Sequence, residues 1–195
     1  MKKIVCLCLM LLICGCHHQN DGMLEIQSHV FVDKEFQDSW LETCQDGRTY
    51  LQLAIDGGYC YQNDQQYLAL FYQDGGHIEL HNYSIKKDHM IISGAFIPEK
   101  TILLVHPHID QVTCEGVVMH ELGHYFDYLY HFSSQKDFKT LYKEEKDVFK
   151  DNKERNRSEF FADLMKEYTG GYANNLPQNI NQYMKKICQK ILEKE

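Results

Sequence analysis

Basic residues, prolines and long apolar runs are all scarce in this chain of 195 residues. Lysine and arginine number 20 against 28 aspartates and glutamates, which gives a formal net charge of −8. Neutralising the phosphates of a nucleic acid needs a basic surface, so we expect no nucleic-acid partner. Only 3 prolines stand beside 13 tyrosines and 10 phenylalanines, and 44% of the residues are hydrophobic. That composition is typical of one folded domain rather than of a disordered chain.

The N-terminal segment has the composition of an export signal. Its basic start is followed by an apolar stretch at residues 4–14, far shorter than the about 20 residues of a membrane-spanning helix. We therefore expect residues 1–15 to be a cleaved signal peptide and not a transmembrane anchor. The signal peptide ends in Ile13-Cys14-Gly15, and Cys16 follows it. These four residues resemble the lipoprotein box of bacterial lipoproteins. The resemblance implies cleavage before Cys16 and a lipid on its sulfur, and an ordinary secretory signal is the alternative.

This interpretation sets the boundaries of the mature chain. Residues 16–27 are expected to form a tether after the lipidated cysteine, and residues 28–195 to form the folded domain. The protein would then be held by its lipid at the extracytoplasmic face of a bacterial cell membrane. The alternative is a secreted protein without a lipid.

Few cysteines remain once the signal is removed. Besides Cys16, the mature chain keeps Cys44, Cys60, Cys114 and Cys188, and no two of them are spaced as C-x-x-C. A zinc site made of cysteines is therefore not expected. An exported protein can form disulfides, and several pairings are possible. The pair Cys44–Cys60 closes the shortest loop and is the first expectation, with free buried thiols an equally good alternative.

Hydrophobic periodicity divides the chain into a mixed first half and a helical second half. The expected strands are residues 77–80, 90–97 and 101–105, with the last two joined as a hairpin. The expected helices are residues 33–44, one from about residue 112, then 136–150, 158–169 and 178–195. Residues 50–55 and 67–72 fit either structure. The predicted fold class is α+β, with a small mixed sheet packed on the helix around residue 120 and a mainly helical C-terminal half.

The chemistry of the chain is concentrated in the segment His120-Glu121-Leu122-Gly123-His124. On a helix, residues four apart lie on one face, so the imidazoles of His120 and His124 can bind one Zn²⁺. Glu121 follows the first histidine and can reach a water molecule at the open coordination position. This is the arrangement of zinc metalloproteases, in which the glutamate is the general base. The alternative is a pair of histidines without a metal.

A catalytic zinc site needs a third protein ligand, and Glu159 is the candidate. It lies at the start of the helix expected at residues 158–169, which Ser158 can cap. The residues that follow it are apolar, which indicates a buried helix end, and a buried carboxylate needs a partner such as a metal ion. Asp163 and Asp127 could each accept a hydrogen bond from a ligand histidine and so fix its tautomer.

The two motifs HELGHYFD and SEFFAD resemble those of the anthrax lethal factor catalytic domain and of the related secreted Pro-Pro endopeptidases. The resemblance covers residues 75–190, most strongly the two helices. It implies a gluzincin-like zincin fold and one Zn²⁺ per chain, held by His120, His124 and Glu159. It also implies that Glu121 is the general base.

The sequence departs from this family at one functional position. The relatives carry a tyrosine seven residues before the ligand glutamate, where it hydrogen-bonds the tetrahedral intermediate, and here that position is Asn152. Asn152, Arg155, Arg157 and Tyr142 are the candidate replacements, because each can donate a hydrogen bond to an oxyanion.

The resemblance implies hydrolysis of a peptide or protein substrate. Such a substrate would lie extended beside an edge strand, for which residues 90–97 are the candidate. Two alternatives stay open. One is a catalytically inactive zincin-fold lipoprotein that binds a peptide or protein in its cleft. The other is an adhesion or structural lipoprotein in which the motif is accidental.

Overall fold

The computed structural model describes residues 22–43, 47, 49–52, 65–81, 85–87, 90–99, 101–105, 111–149 and 156–193. Within these ranges the chain combines a five-stranded mixed sheet with several helices, so the expected α+β class is confirmed. No helix in this part of the chain is both long enough and apolar enough to cross a membrane.

Among the described residues, the main sheet ends in one short antiparallel strand. The strands are β1 (Met23–Gln27), β2 (Val30–Asp33), β3 (His77–His81), β4 (Ile85–Lys87), β5 (Met90–Ile92), β6 (Gly94–Ile97) and β7 (Thr101–Val105). The main sheet has the order β1-β2-β3-β7-β6, and β4 pairs with β5 separately. Strands β2, β3 and β7 run parallel, whereas β1 and β6 are antiparallel to their neighbours. The expected hairpin is therefore present between β6 and β7, and β6 forms an edge of the sheet.

Two predictions, one of a strand and one of the tether, need correction. Residues 90–97 are not one strand, because β5 and β6 are separated by Ser93 and belong to different sheets. Part of the expected tether is also folded, since residues 23–27 form β1, whose Ile26 packs against the core. His29, with φ of 66°, supplies the left-handed turn that pairs β1 with β2. Residues 1–21, and Cys16 with them, lie outside the described residues.

The second half is helical as expected. The helices are α1 (Gln37–Trp40), α2 (Gln65–Gln73), α3 (Gln111–Tyr130), α4 (Lys136–Glu145), α5 (Arg157–Glu167) and α6 (Gln178–Leu192). The ambiguous residues 67–72 are thus helical, and α4 ends before the expected residue 150. After α5 the chain makes a π turn in which Gly171 has φ of 80°, the conformation for which glycine is suited.

Helix α3 lies at the centre of the core. It packs against β6 and β7 on one side and against α5 on another. Ile78, Leu80 and Ile102 of the sheet are fully buried, as are Val118 and Leu122 of α3. The sheet and α5 thus cover two sides of the middle of α3.

A cluster of phenylalanines fixes α5 beside α3. The ring of Phe161 lies 5.4 Å from that of Phe132 and 5.6 Å from that of Phe138, and all three side chains are fully buried. Truncating a buried phenylalanine to alanine costs about 3–5 kcal/mol, so this cluster holds the helix start near residue 159 firmly in place.

The face of β3 opposite the core carries a polar cluster. His77, Glu79 and His81 alternate along the strand and therefore share this face. The Nε2 atoms of His77 and His81 each lie 3.2 Å from a different oxygen of the Glu79 carboxylate. The hydrogen bonds from His77 and then His81 lower the pKa of Glu79 to about 2.

Replacing Glu79 with glutamine is expected to remove a pH-dependent part of the stability. The pKa of Glu79 is about 2 in the folded protein, below its ordinary value of 4.5. The ionised carboxylate therefore stabilises the fold fully at pH values above 4.5. This stabilisation is lost as pH falls towards 2, and between neutral pH and pH 3 the loss is on the order of 2 kcal/mol. Urea unfolding across this range should show a Glu79→Gln deficit that shrinks on acidification. Glu99→Gln, at an exposed position, is the matched control. A deficit of constant size at every pH would contradict the prediction.

Candidate metal centre

The two histidines of α3 point to a common position. His120 and His124 are one helical turn apart, and their Nε2 atoms lie 3.1 Å from each other. Their side chains are 21% and 19% exposed, so each ring is partly buried. The rings cross at 81°, with centroids 4.8 Å apart. Two nitrogen atoms this close, and aimed at each other, can share one cation.

Helix α5 adds a carboxylate to this pair. Glu159 Oε2 lies 3.3 Å from His120 Nε2 and 3.6 Å from His124 Nε2, and the three groups could hold a metal ion together. The start of α5 is fixed by Asn156, whose side chain accepts hydrogen bonds from the backbone N–H groups of Ser158 and Glu159. The helix cap is therefore Asn156 and not Ser158. We call the three atoms His120 Nε2, His124 Nε2 and Glu159 Oε2 the ligand triangle.

A close contact between α3 and α5 makes the ligand triangle possible. A Cβ atom added to Gly123 would lie 2.7 Å from the Cα atom and 3.2 Å from the carbonyl oxygen of Ala162. Backbone atoms cannot yield as the end of a flexible side chain can. Gly123 thus allows the two helices to approach closely enough for the carboxylate of Glu159 to reach both imidazoles.

The second ring nitrogen of each histidine is also engaged. His120 Nδ1 lies 3.1 Å from Asp163 Oδ1, which is the direct contact expected for Asp163. His124 Nδ1 instead lies 3.3 Å from Ser158 Oγ, and Ser158 donates to Asp127 Oδ2 at 2.9 Å. Asp127 thus acts on His124 through Ser158, which corrects the expectation that it contacts a histidine directly. These contacts favour the tautomers that leave both Nε2 atoms free to bind a metal.

Asp127 is itself held in place. Its Oδ1 accepts a hydrogen bond of 2.7 Å from the backbone N–H of Ser133, just beyond the end of α3, and the residue is 8% exposed. Ser158 and Ser133 were not among the expected site residues. The position of Ser158 directly before Glu159 was the available signal, but its geometry depends on how α5 crosses α3.

The two carboxylates of the site have opposite electrostatic surroundings. Hydrogen bonds from His120 and His124 hold the pKa of Glu159 well below its usual range, so it is ionised and suited to bind a cation. Burial raises the pKa of Glu121, which is 6% exposed. A carboxyl group with a raised pKa is a better proton acceptor, which is the property required of a general base.

Glu121 lies apart from the ligand triangle, on the side of α3 that faces the sheet. Its Oε2 accepts a hydrogen bond of 2.8 Å from the backbone N–H of Phe96 in β6. A Cβ atom on Gly94 would overlap Val117 of α3 and would lie 3.0 Å from the Leu103 carbonyl oxygen, so a glycine there lets β6 approach α3. The site therefore places the carboxylate beside the edge strand.

The candidate oxyanion donors are placed only in part. Arg157 is exposed at the first position of α5, and Tyr142 of α4 has its ring 5.4 Å from that of Phe160, next to Glu159 in the chain. Asn152 and Arg155 lie outside the described residues. The identity of the donor stays a prediction. Of the cysteines, Cys188 is buried in α6, and Cys44 and Cys60 lie outside the described residues.

A comparison of the sequence with protein-family models found no match, and neither did a comparison with curated protein sequences. The function proposed below is therefore supported by the residues of the site and by their geometry.

Proposed function

We propose that this chain is a zinc-dependent endopeptidase. The observation that carries the proposal is the ligand triangle with a separate buried carboxylate, Glu121, beside it. Two imidazole nitrogens and one carboxylate oxygen are ligands that zinc prefers. Four tetrahedral ligands at zinc distances lie about 3.3 Å from one another. The three edges of the ligand triangle, at 3.1, 3.3 and 3.6 Å, fit this spacing.

The proposed chemistry is hydrolysis of a peptide bond by an activated water. Zinc, when bound, would polarise the scissile carbonyl and lower the pKa of a water towards about 7. Glu121 Oε2 is held by Phe96, which leaves Oε1 to accept a proton from water and to return it to the leaving amine. Asp163 and Ser158 keep the two imidazoles in the required orientation.

The substrate is proposed to lie extended along β6. In an antiparallel pair, the N–H and C=O of one residue point to the same side of the strand, and successive residues alternate. The N–H of Phe96 points away from β7, because it reaches Glu121. The C=O of Phe96 and both groups of Gly94 therefore also point away from β7. A peptide can add to the sheet at these groups, directly beside Glu121.

The proposed fold family is the gluzincin-like zincins, because the two motifs resemble those of the lethal-factor-like peptidases. A helix with both histidines, a later helix with the glutamate, and an antiparallel edge strand over the first helix support this proposal.

We propose that the protein is a lipoprotein displayed at the outer face of a bacterial cell membrane. The support is the sequence Ile13-Cys14-Gly15-Cys16 at the end of the apolar N-terminal stretch. Fractionation of cells that express Cys16→Ala tests this. Release into the medium or blocked processing is expected, and unchanged membrane partitioning would count against the lipid.

Cleavage of a peptide library tests the enzymatic proposal. The purified protein should cleave a subset of peptides, lose this activity after treatment with a chelator, and regain it when zinc is added in equimolar amount. Mass spectrometry of the products identifies the bond that is cleaved. If zinc binds but no peptide is cleaved, the site is a recognition site and not a catalytic one. The chain would then lack activity because Asn152 replaces the tyrosine that stabilises the tetrahedral intermediate in the family it resembles.

A further inference from the structure

The general base of the proposed mechanism is hydrogen-bonded to the backbone of the edge strand β6. Glu121 is 6% exposed, and in the described part of the chain its carboxylate has one hydrogen bond, from Phe96 N–H at 2.8 Å. Hydrogen bonds to a charged group are the stronger ones, and a buried carboxylate without such a bond is strongly destabilised. The position of Glu121 is therefore determined to a large extent by one backbone N–H.

The residue that carries this N–H packs against α3. The ring of Phe96 contacts two aromatic side chains of α3, with its centroid 5.9 Å from that of Tyr125 and 5.9 Å from that of Tyr128. Tyr125 is anchored in turn by its hydroxyl, which donates to Asp74 at 3.0 Å. Gly94 allows the backbone of β6 to lie against Val117. Strand β6 is thus fixed on the same helix that carries Glu121.

Glu121 has the chemistry of a metal ligand as well as that of a base. It is adjacent in sequence to His120, and a carboxylate is as good a zinc ligand as the one at Glu159. Yet the group of residues able to hold a metal contains His120, His124 and Glu159, and Glu121 is not part of it. A glutamate that entered the coordination position left for water could not act as the base.

We propose that the backbone N–H of Phe96 is a positioning group that keeps Glu121 as a base and prevents it from becoming a fourth metal ligand. The inference rests on the function proposed above. The bond to Oε2 holds the carboxylate towards β6 and away from the ligand triangle, and it leaves Oε1 for the proton. Loss of this N–H should let the carboxylate swing into the metal site.

Replacing Phe96 with phenyllactic acid in the full-length chain tests the proposal, because this change turns the N–H into an ester oxygen and keeps the ring. We expect kcat to be about 10- to 100-fold lower, which is the scale of a misplaced catalytic group. KM should change by less than about threefold. Lactic acid at Ala95 is the matched control. The N–H of Ala95 faces β7, so the control loses one bond of the sheet and leaves Glu121 untouched. Equal kcat values for the two esters would overturn the proposal.

Cobalt(II) in place of zinc gives a second readout that does not depend on activity. The visible absorption of Co²⁺ reports the number and geometry of its ligands. In the otherwise natural chain, Glu121→Gln should leave the spectrum unchanged. The Phe96 ester should alter the spectrum, and Glu121→Gln combined with the ester should restore it. An ester spectrum identical to that of the natural chain would overturn the proposal. If the protein cleaves no peptide, the proposed function fails, and the cobalt spectra still decide the role of Phe96.

Discussion

Glu121→Gln is expected to abolish peptide hydrolysis in an ordinary assay while the metal stays bound. The amide oxygen of glutamine can still accept the hydrogen bond from Phe96 N–H, so the side chain should keep its place. The amide cannot accept the proton of the attacking water, and a positioned acid–base group contributes on the order of 10²–10⁴-fold. The measurements are kcat/KM on a peptide that the natural protein cleaves and zinc content by elemental analysis.

A second substitution at the same position separates position from charge. Glu121→Asp keeps a carboxylate but shortens the side chain, which should draw it away from Phe96 and from the water. We expect an activity between those of the natural protein and of Glu121→Gln. If Glu121→Gln retained more than about a tenth of the activity, Glu121 would not be the general base.

Glu159→Ala is expected to weaken zinc binding strongly and to remove activity with it. The substitution deletes one of the three atoms of the ligand triangle and leaves two imidazoles whose Nε2 atoms are 3.1 Å apart. Loss of an outer partner of a ligand typically costs 10–100-fold in affinity, and loss of a ligand should exceed about 100-fold. Competition with a chromophoric chelator measures the affinity.

Asp163→Ala and Ser158→Ala provide a graded comparison for Glu159→Ala. Asp163 contacts His120 directly, so Asp163→Ala should lower zinc affinity by about 10–100-fold. Ser158 links His124 to Asp127 and is a weaker hydrogen-bond partner than a carboxylate, so its loss should cost less. Full zinc occupancy in Glu159→Ala under the same competition would show that the third ligand is misassigned.

The parts of the site that follow from helical periodicity could be predicted from the sequence. An α-helix of 3.6 residues per turn places His120 and His124 on one face, independently of how the rest of the chain packs. Glu159 could be predicted from the apolar residues that follow it, because a carboxylate at a buried helix start needs a partner. The structure brings all three together.

The parts that depend on how elements cross could not be predicted. Ser158 was expected only as a helix cap, yet its hydroxyl contacts His124 because α5 passes close to α3 at this point. The N–H of Phe96 has no sequence signature, since every residue except proline has one, and its reach to Glu121 depends on the register of β6. Residues 90–97 are mostly apolar, and hydrophobic periodicity does not tell where a strand changes partner, as happens at Ser93.

The close contact at Gly123 has a consequence for how the motif is recognised in other sequences. In the pattern H-E-x-x-H the two middle positions are written as free, but here the second one lies against the backbone of Ala162. A protein could keep both histidines and both glutamates and still lose the metal, if a bulkier residue at this position pushed the two helices apart. A pattern search that scores only the ligands would count such a chain as an enzyme. In a chain with this helix crossing, the residue before the second histidine therefore helps to decide whether the three side chains of the ligand triangle can meet.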